Sequence, residues 1–346
     1  MTSKVSLRTV EEGDVYSTVK DAMTLVNWKG SIHKGAHVVV KPNVCWDKLL
    51  PGCQTSPIVL KSVITILRDH VSSVTIVESD SVVNSAEKGF ELTRIKDVAE
   101  ATGSELVNLS KEERFEKVRL EEPLFFTSGS IDVPKCIHDA DHLITVPVMK
   151  THVLTTVSGA LKNQYGCLRK IRYTYHLNVD DVIVDINMAL RPDLAVMDAT
   201  IAMEGEGPNL GKPRKFGAIL ASKDMVAMDS IEATLMGFDP MEIQHITKAS
   251  QRGLGNVDKD AITVLGEEVR SLEQRFEPAH GTGIVSRLNL WTLGNSILKP
   301  IVYDTPLFQI FRGGTVLYND SWYFLKGRKY LKEILKDDVY GRQWRK

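Results

Sequence analysis

Short apolar runs recur along the chain and alternate with segments of helical periodicity. The runs cover residues 38–41, 74–79, 105–110, 142–148, 193–199, 216–222 and 261–266. Most of them are apolar throughout, a pattern typical of strands that are covered on both faces. The pattern therefore predicts an α/β protein with a mainly parallel sheet.

Apolar residues at helical spacing fill three of the intervening segments, at residues 57–68, 178–190 and 224–236. In the second segment, Asp180 and Asp181 fall in the first helical turn, where the helix dipole favours anions, so capping explains them as well as a functional role does. Together with the apolar runs, these helices predict a doubly wound, Rossmann-like sheet with helices on both faces.

The composition is that of a globular protein of one or two domains. The chain has 346 residues, of which 43% are hydrophobic, and its 43 Lys/Arg and 44 Asp/Glu leave a formal charge of −1. There is no overall basic field, so we expect no nucleic-acid partner. No apolar run reaches about 18 residues and the N-terminus lacks a signal-peptide core, which predicts a cytoplasmic protein without a transmembrane segment.

The composition changes near Gly281. We predict an α/β core at residues 1–280, with room for two lobes, and a C-terminal extension at residues 281–346. Residues 291–346 contain ten Lys/Arg against five Asp/Glu, with eleven interleaved aromatic residues. Such a segment docks on its own core, on a second copy of the chain, or on a partner or anionic surface.

Polar residues follow the predicted strands at the point where each strand ends. In chain order these ends carry Lys41 and Asn43, Glu78 and Asp80, Lys150 and His152, and Asp198. Each residue alone could be a helix cap or a surface group. Because parallel sheets bind ligands at the carboxyl ends of their strands, the four ends together predict a cleft at that edge.

A glycine-rich segment at residues 203–213 lies between two predicted strands. Its three glycines would let backbone N–H groups approach a ligand, and Lys212 beside acidic residues could meet a phosphate or a metal. The segment matches neither the Walker pattern nor the dinucleotide fingerprint, and a plain tight turn is an equally good explanation.

We assign candidate roles from side-chain chemistry. The proposed catalytic residues are His152, His176, Lys150 and Asn163. The proposed substrate-binding residues are Lys41, Asn43, Thr55, Asp80, Lys162, Gly205, Gly207, Gly211 and Lys212. Carboxylate oxygens suit Mg²⁺ or Mn²⁺, so Asp198, Glu206 and Asp229 are the candidate ligands of an optional divalent metal.

The four cysteines fit neither a disulfide scaffold nor a zinc ribbon, and free thiols are expected. An alternative gathers Cys45, Cys53 and Cys167 around iron, although their spacing matches no known iron–sulfur ligand run. The sequence also contains no G-x-S-x-G, H-E-x-x-H or EF-hand pattern. The cofactor therefore stays open.

Several motifs together resemble the family called domain of unknown function 362. They are KPN at 41–43 with Thr55 and Pro57, ESDS at 78–81, the KTH and GALKNQYG elements within 147–166, His176, D-x-x-x-D-x-N at 181–187, ME-GEGPNLGKP at 203–213, AMD at 227–229 and GFDP at 237–240. The resemblance spans roughly residues 35–266. Many relatives carry a ferredoxin-type iron–sulfur module, which implies redox chemistry, but this chain lacks the required cysteines. The layout of the first half is also similar to the N-terminal domain of the nickel-pincer lactate racemase family, as topology alone.

The combined prediction is an enzyme that binds a small anionic or phosphorylated substrate between Lys and Asn clamps, with a His or carboxylate to transfer a proton. One alternative is a redox or iron–sulfur-related protein that uses the three cysteines. Another is a non-catalytic binding or scaffold module that forms a homo-oligomer or contacts a partner through residues 291–346. Neither the substrate nor the reaction type follows from the sequence.

Overall fold

The computed structural model describes residues 2–281 and 284–345. Its strands are β1 (Ser3–Thr9), β2 (His37–Pro42), β3 (Ser73–Glu78), β4 (Glu105–Asn108), β5 (Phe115–Arg119), β6 (Ser130–Pro134), β7 (His142–Val146), β8 (Val148–His152), β9 (Thr156–Val157), β10 (Leu194–Glu204), β11 (Lys212–Ser222) and β12 (Ile262–Gly266).

The first ten helices are α1 (Val15–Leu25), α2 (Pro57–Arg68), α3 (Ala86–Leu92), α4 (Ile95–Thr102), α5 (Lys135–His138), α6 (Gly159–Asn163), α7 (Val179–Leu190), α8 (Met225–Leu235), α9 (Gln244–Gln251) and α10 (Val269–Leu272). The C-terminal extension adds α11 (Ile284–Gly294), α12 (Leu298–Tyr303), α13 (Leu307–Trp322) and α14 (Arg328–Leu335), with a π-helical turn at Tyr323–Gly327. A long 3₁₀ segment, Lys170–Asn178, precedes α7.

One large sheet organises the molecule, in the strand order β12-β1-β11-β10-β7-β2-β3-β4, while β5 and β6 form a separate hairpin. Neighbouring strands from β10 to β4 pair in parallel. β11 runs antiparallel to both β10 and β1, and β12 is parallel to β1. The predicted mainly parallel sheet is therefore confirmed, with one antiparallel insertion.

Helices cover both faces of this sheet, as predicted. Along β2, Val38 and Val40 belong to one core cluster with α1, α2 and α4, whereas Val39 belongs to another with α7 and α8. Because successive side chains of a strand point to opposite faces, the two clusters lie on the two sides of the sheet.

The predicted strand at 142–148 divides at Pro147 into β7, which pairs with β2 and β10, and β8, which pairs with β10 and β9. Proline has no N–H to donate to a ladder, so the sheet changes partners at this residue. β1 was missed because only Val5 and Leu7 of its alternating sequence are apolar and fully buried.

Helix α7 begins and ends as its apolar stripe predicts, and its acidic residues have structural partners. Asp180 and Asp181 in the first turn face α9, where His245 and Lys248 lie within 3.6 Å and 2.8 Å of their carboxylates. Fully buried Asp185 accepts hydrogen bonds from the backbone N–H groups of residues 124–126. The first-turn acids therefore have packing partners on a neighbouring helix.

The C-terminal extension contacts the core at both of its ends. Near its start, Tyr303 and Phe308 pack against Tyr173 of the 3₁₀ segment. At its end, the Gln343 side chain accepts a hydrogen bond from the backbone N–H of Ile58 at 2.9 Å. None of the helices in the described residues is both long and apolar enough to cross a membrane. A domain boundary at residue 280 stays a prediction.

Candidate functional site

A cavity of about 590 Å³ opens at the carboxyl ends of the parallel strands. Its lining includes Lys41 and Asn43 from the end of β2, Ser79 from the end of β3, and Lys150 and His152 from β8. Parallel strands therefore do bring three of the four predicted polar ends together.

A buried ion pair forms the floor of this polar region. Lys41 is only 1% exposed, and its Nζ lies 2.7 Å from Oε2 of Glu78. The same carboxylate accepts hydrogen bonds from the backbone N–H groups of Val44 and Ser79. Lys41 is thus neutralised within the protein, in contrast to the free anion ligand that its position predicts.

Two neutral residues orient the groups around the ion pair. Asn163 accepts hydrogen bonds from Asn43 Nδ2 and Lys41 Nζ through Oδ1, and its Nδ2 donates to Thr145 at 2.8 Å. Thr55 donates its hydroxyl to the Val146 carbonyl and accepts from the backbone N–H of Asn43. Both side chains are thus bonded within the protein, and their roles in catalysis and substrate binding stay predictions.

Lys150 contacts a pair of cysteines. Its Nζ donates to Asn43 Oδ1 at 2.9 Å, to the Cys53 carbonyl at 2.8 Å and to Cys45 Sγ at 3.2 Å. The two sulfur atoms lie 3.3 Å apart. The hydrogen bond from Cys53 and the Lys150 ammonium lower the pKa of Cys45 to about 6 against the effect of burial, while burial raises the pKa of Cys53.

Both predicted catalytic histidines are held neutral. Burial, with the nearby charges of Lys162 and Lys150, keeps the pKa of His152 well below its usual range. The Nδ1 atom of His152 accepts a hydrogen bond from the backbone N–H of Leu154, so its Nε2 carries the proton. Burial and then Lys162 lower the pKa of His176 to about 4, and this ring stacks on Tyr165.

Lys162 is a further cation that lines this cavity. Burial, followed by repulsion from Lys150, lowers its pKa to about 8. Its Nζ lies 5.3 Å from the centre of the Tyr165 ring. Among the residues that the structure describes, we find no carboxylate or hydrogen-bond acceptor bound to this ammonium.

The glycine-rich segment contributes to the cavity through Pro208 and Asn209 rather than through its glycines. A Cβ atom at Gly207 would collide with the Thr151 carbonyl, and one at Gly211 would collide with the Glu204 carbonyl. These glycines permit close backbone packing.

The other predicted binding residues of these loops lie apart from the cavity lining. Gly205 has a positive φ and donates its N–H to the Glu277 carbonyl. Lys212 is exposed, 3.9 Å from a Glu204 oxygen, and Asp80 accepts from the N–H of Ala86.

The three candidate metal ligands are occupied elsewhere. Asp198 accepts hydrogen bonds from Ser56 and Thr200, and Asp229 accepts from the first N–H groups of α6. Glu206 accepts from the N–H of His280. Over residues 2–281 and 284–345, no group of three or more His, Cys, Asp or Glu could hold a metal ion. Neither the divalent site nor the iron site with Cys167 gains support, and both stay predictions.

Sequence reasoning missed Arg172 and the C-terminal wall. The Arg172 guanidinium is buried and donates to Ser79 Oγ and the Asp80 carbonyl. It lies in the 3₁₀ segment, which has no apolar periodicity to place it. Aromatic and aliphatic residues of α11–α13 also line the cavity, and only their unusual aromatic content pointed to them.

Comparison with known proteins identifies the family. The model of the family described as Domain of unknown function (DUF362) matches residues 38–234. The chain belongs to this family. The matched region contains the polar residues described above, whereas the C-terminal wall of the cavity lies outside it.

A thylakoid-associated protein of Synechocystis sp. is 34% identical over 125 residues, which are 34% of this chain and 38% of that protein. The chain therefore matches well under half the length of this curated relative. Among solved structures, the lactate racemase apoprotein from Thermoanaerobacterium thermosaccharolyticum aligns with a TM-score of 0.41 at 13% identity, over 58% of this chain and 50% of that chain.

We predict that the buried ion pair stabilises the fold. Glu78→Gln would leave the Lys41 ammonium without its counter-charge, so we expect a loss of about 3–5 kcal/mol in the free energy of unfolding. Urea denaturation measures it, with Glu87→Gln as the control because the Glu87–Lys111 pair is exposed. A Glu78→Gln variant as stable as the control would contradict a structural role for the pair.

Proposed function

We propose that the protein is an enzyme that binds the anionic group of a small molecule at the polar end of the cavity and removes a proton from that molecule. The observation that carries the proposal is Lys162. It is a partly buried cation that faces the cavity without a counter-charge.

The charge around the cavity supports an anionic ligand. Five of the described lining side chains are Lys or Arg, namely Lys41, Lys150, Lys162, Arg172 and Arg312. Against them stand one carboxylate of the described lining, Glu78, and the Cys45 thiol, whose pKa is about 6. Unpaired buried charge is costly, and an anion that enters would relieve this cost. The Nε2–H of neutral His152 supplies a second donor to the same ligand, because its Nδ1 is already bonded to the backbone.

Bound anion would also activate the proton-transfer group. His176 has a pKa of about 4 because burial and the neighbouring cations disfavour its charged form. A negative charge placed beside Lys162 would offset those cations and raise the pKa of His176 toward its ordinary value of about 6.5. The imidazole would then accept a proton from the bound substrate near its working pH, so substrate binding and basicity are coupled.

Lys162→Met tests the anion site. We expect this variant to bind inorganic phosphate at least about tenfold more weakly, because a charge-assisted hydrogen bond contributes about 1.5–3 kcal/mol. Its melting temperature should not fall, since the unpaired ammonium is removed. In the unsubstituted protein, phosphate affinity should decrease as the pH rises through about 8, where Lys162 loses its proton.

Isothermal titration calorimetry measures these affinities. Lys212→Met serves as the matched control because Lys212 is exposed and does not line the cavity. If phosphate bound Lys162→Met as tightly as the unsubstituted protein, the proposed function would be wrong.

A thiol-based redox function is a second candidate, and the 3.3 Å separation of the two sulfur atoms favours it. Cys45 lines the cavity and contacts the Lys150 ammonium, which stabilises a thiolate. Attack of this thiolate on a small disulfide, followed by attack of Cys53 on the mixed disulfide, would oxidise the pair and release two reduced thiols. Cys167 is buried in a different cluster from Cys45 and Cys53, so this step uses only the latter two cysteines.

This second candidate predicts selective alkylation. At pH 7, iodoacetamide should modify Cys45 at least about tenfold faster than Cys136, whose pKa burial raises to about 11. Lys150→Met should slow the reaction of Cys45 and leave that of Cys136 unchanged. Peptide mass spectrometry over a time course gives both rates, and equal rates at the two cysteines would exclude the redox candidate.

A further inference from the structure

The cavity has a second wall of different chemistry, made by the C-terminal extension. Its side chains are Leu288, Leu290, Tyr303, Phe308, Ile310 and Phe311, from α11 to α13. Stacking of Phe308 on Tyr173, at 5.1 Å between ring centres, fixes this wall to the 3₁₀ segment that also carries Arg172 and His176. The polar and apolar walls are therefore connected through one segment.

Part of the apolar wall stays accessible, although Tyr303 is buried and Phe308 and Phe311 pack beside it. No residue of α13 is buried, and Ile310 is 70% exposed although it lines the cavity. Leu288 of α11 lines the cavity as well and is 45% exposed. Apolar side chains that line a concave surface and stay accessible are typical of ligand-binding sites.

The size of the cavity argues against an inorganic anion as the whole ligand. Its 590 Å³ lies in the range of roughly 300–1,000 Å³ that holds drug-sized molecules. A small anion at Lys162 would occupy a minor part of this volume and leave the apolar wall in contact with water. A purely apolar ligand would fill the wall but leave the Lys162 charge uncompensated.

We propose that the ligand of this cavity is an amphiphile, with an anionic head at Lys162 and His152 and an apolar chain along α11–α13. The inference rests on the proposed function for its anionic half and adds the substrate class. The anionic head supplies the negative charge that the strand ends lack, and the apolar chain of the ligand covers the accessible side chains of α13. Each methylene group that becomes buried should strengthen binding up to about fourfold.

A series of alkyl phosphates tests the proposal with the full-length protein. We would titrate inorganic phosphate and then methyl, butyl and octyl phosphate, each below its critical micelle concentration, by isothermal titration calorimetry. Affinity should rise by at least about tenfold from methyl to octyl phosphate. Lys162→Met should weaken all four ligands by a similar factor, because every one of them carries the head.

Variants of the apolar wall measure the contribution of the ligand's alkyl chain to binding. Ile310→Ser and Phe311→Ser should flatten the dependence on chain length while inorganic phosphate binds as before. Leu317→Ser is the matched control, since Leu317 lies on the same helix at 68% exposure but not in the cavity lining. Ile310 is itself so exposed that its substitution should leave the fold intact, which an unchanged melting temperature checks.

The outcomes separate this inference from the function on which it rests. Phosphate binding without any gain from methyl to octyl phosphate would overturn the amphiphile and leave the anion site standing. The amphiphile would also be overturned if Leu317→Ser flattened the series as much as Ile310→Ser does. Failure of all four ligands to bind would overturn both proposals.

Discussion

The physical constraint behind this site is an excess of positive charge, because five of the described Lys and Arg side chains line the cavity together with one carboxylate. Glu78 neutralises Lys41, and neutral acceptors together with the Cys45 sulfur hold Lys150. Lys162 receives neither, and burial, followed by repulsion from Lys150, lowers its pKa to about 8. The neutral state of both histidines has burial as its first cause and the Lys162 charge as its second. The chemistry proposed above follows from that residual positive charge.

Periodicity explains how much of this arrangement the sequence could predict. Continuous apolar runs identify strands covered on both faces, and the carboxyl ends of such strands converge whatever their loops contain. Lys41, Asn43, Lys150 and His152 accordingly lie in the lining of one cavity, while their functional roles stay predictions. The same reasoning cannot tell whether a polar group ends in the cavity or in a backbone contact, because that depends on the loops that pack against it.

The buried carboxylates illustrate this limit. Asp198 and Asp229 follow patterns that suit metal ligands, yet each accepts backbone N–H groups, from Ser56 and from the start of α6. Burial raises the pKa of Asp229 to about 8, and these N–H groups partly offset that rise. Such contacts join residues that are distant in sequence. Arg172 was missed for the related reason that a 3₁₀ segment gives no periodic signal.

The walls of the cavity come from two parts of the chain, the family region and the C-terminal extension. The family region, residues 38–234, provides the charged lining groups named above except Arg312, while the apolar wall comes from helices beyond it. A wall supplied outside the shared region could vary among relatives without disturbing the anion site. Under the proposed function, the family region would recognise the anionic head group, and the extension would select among the molecules that carry it.

The most direct test of the uncompensated charge is the pKa of Lys162. NMR of the protein labelled with ¹³C at lysine Cε measures this pKa, and Lys162→Met assigns the signal. We predict a value of about 8 in the ligand-free protein and a rise toward the ordinary value of about 10.4 when phosphate saturates the site. A pKa near 10.4 that phosphate does not change would show that Lys162 is already compensated, and the anion site would not exist as described.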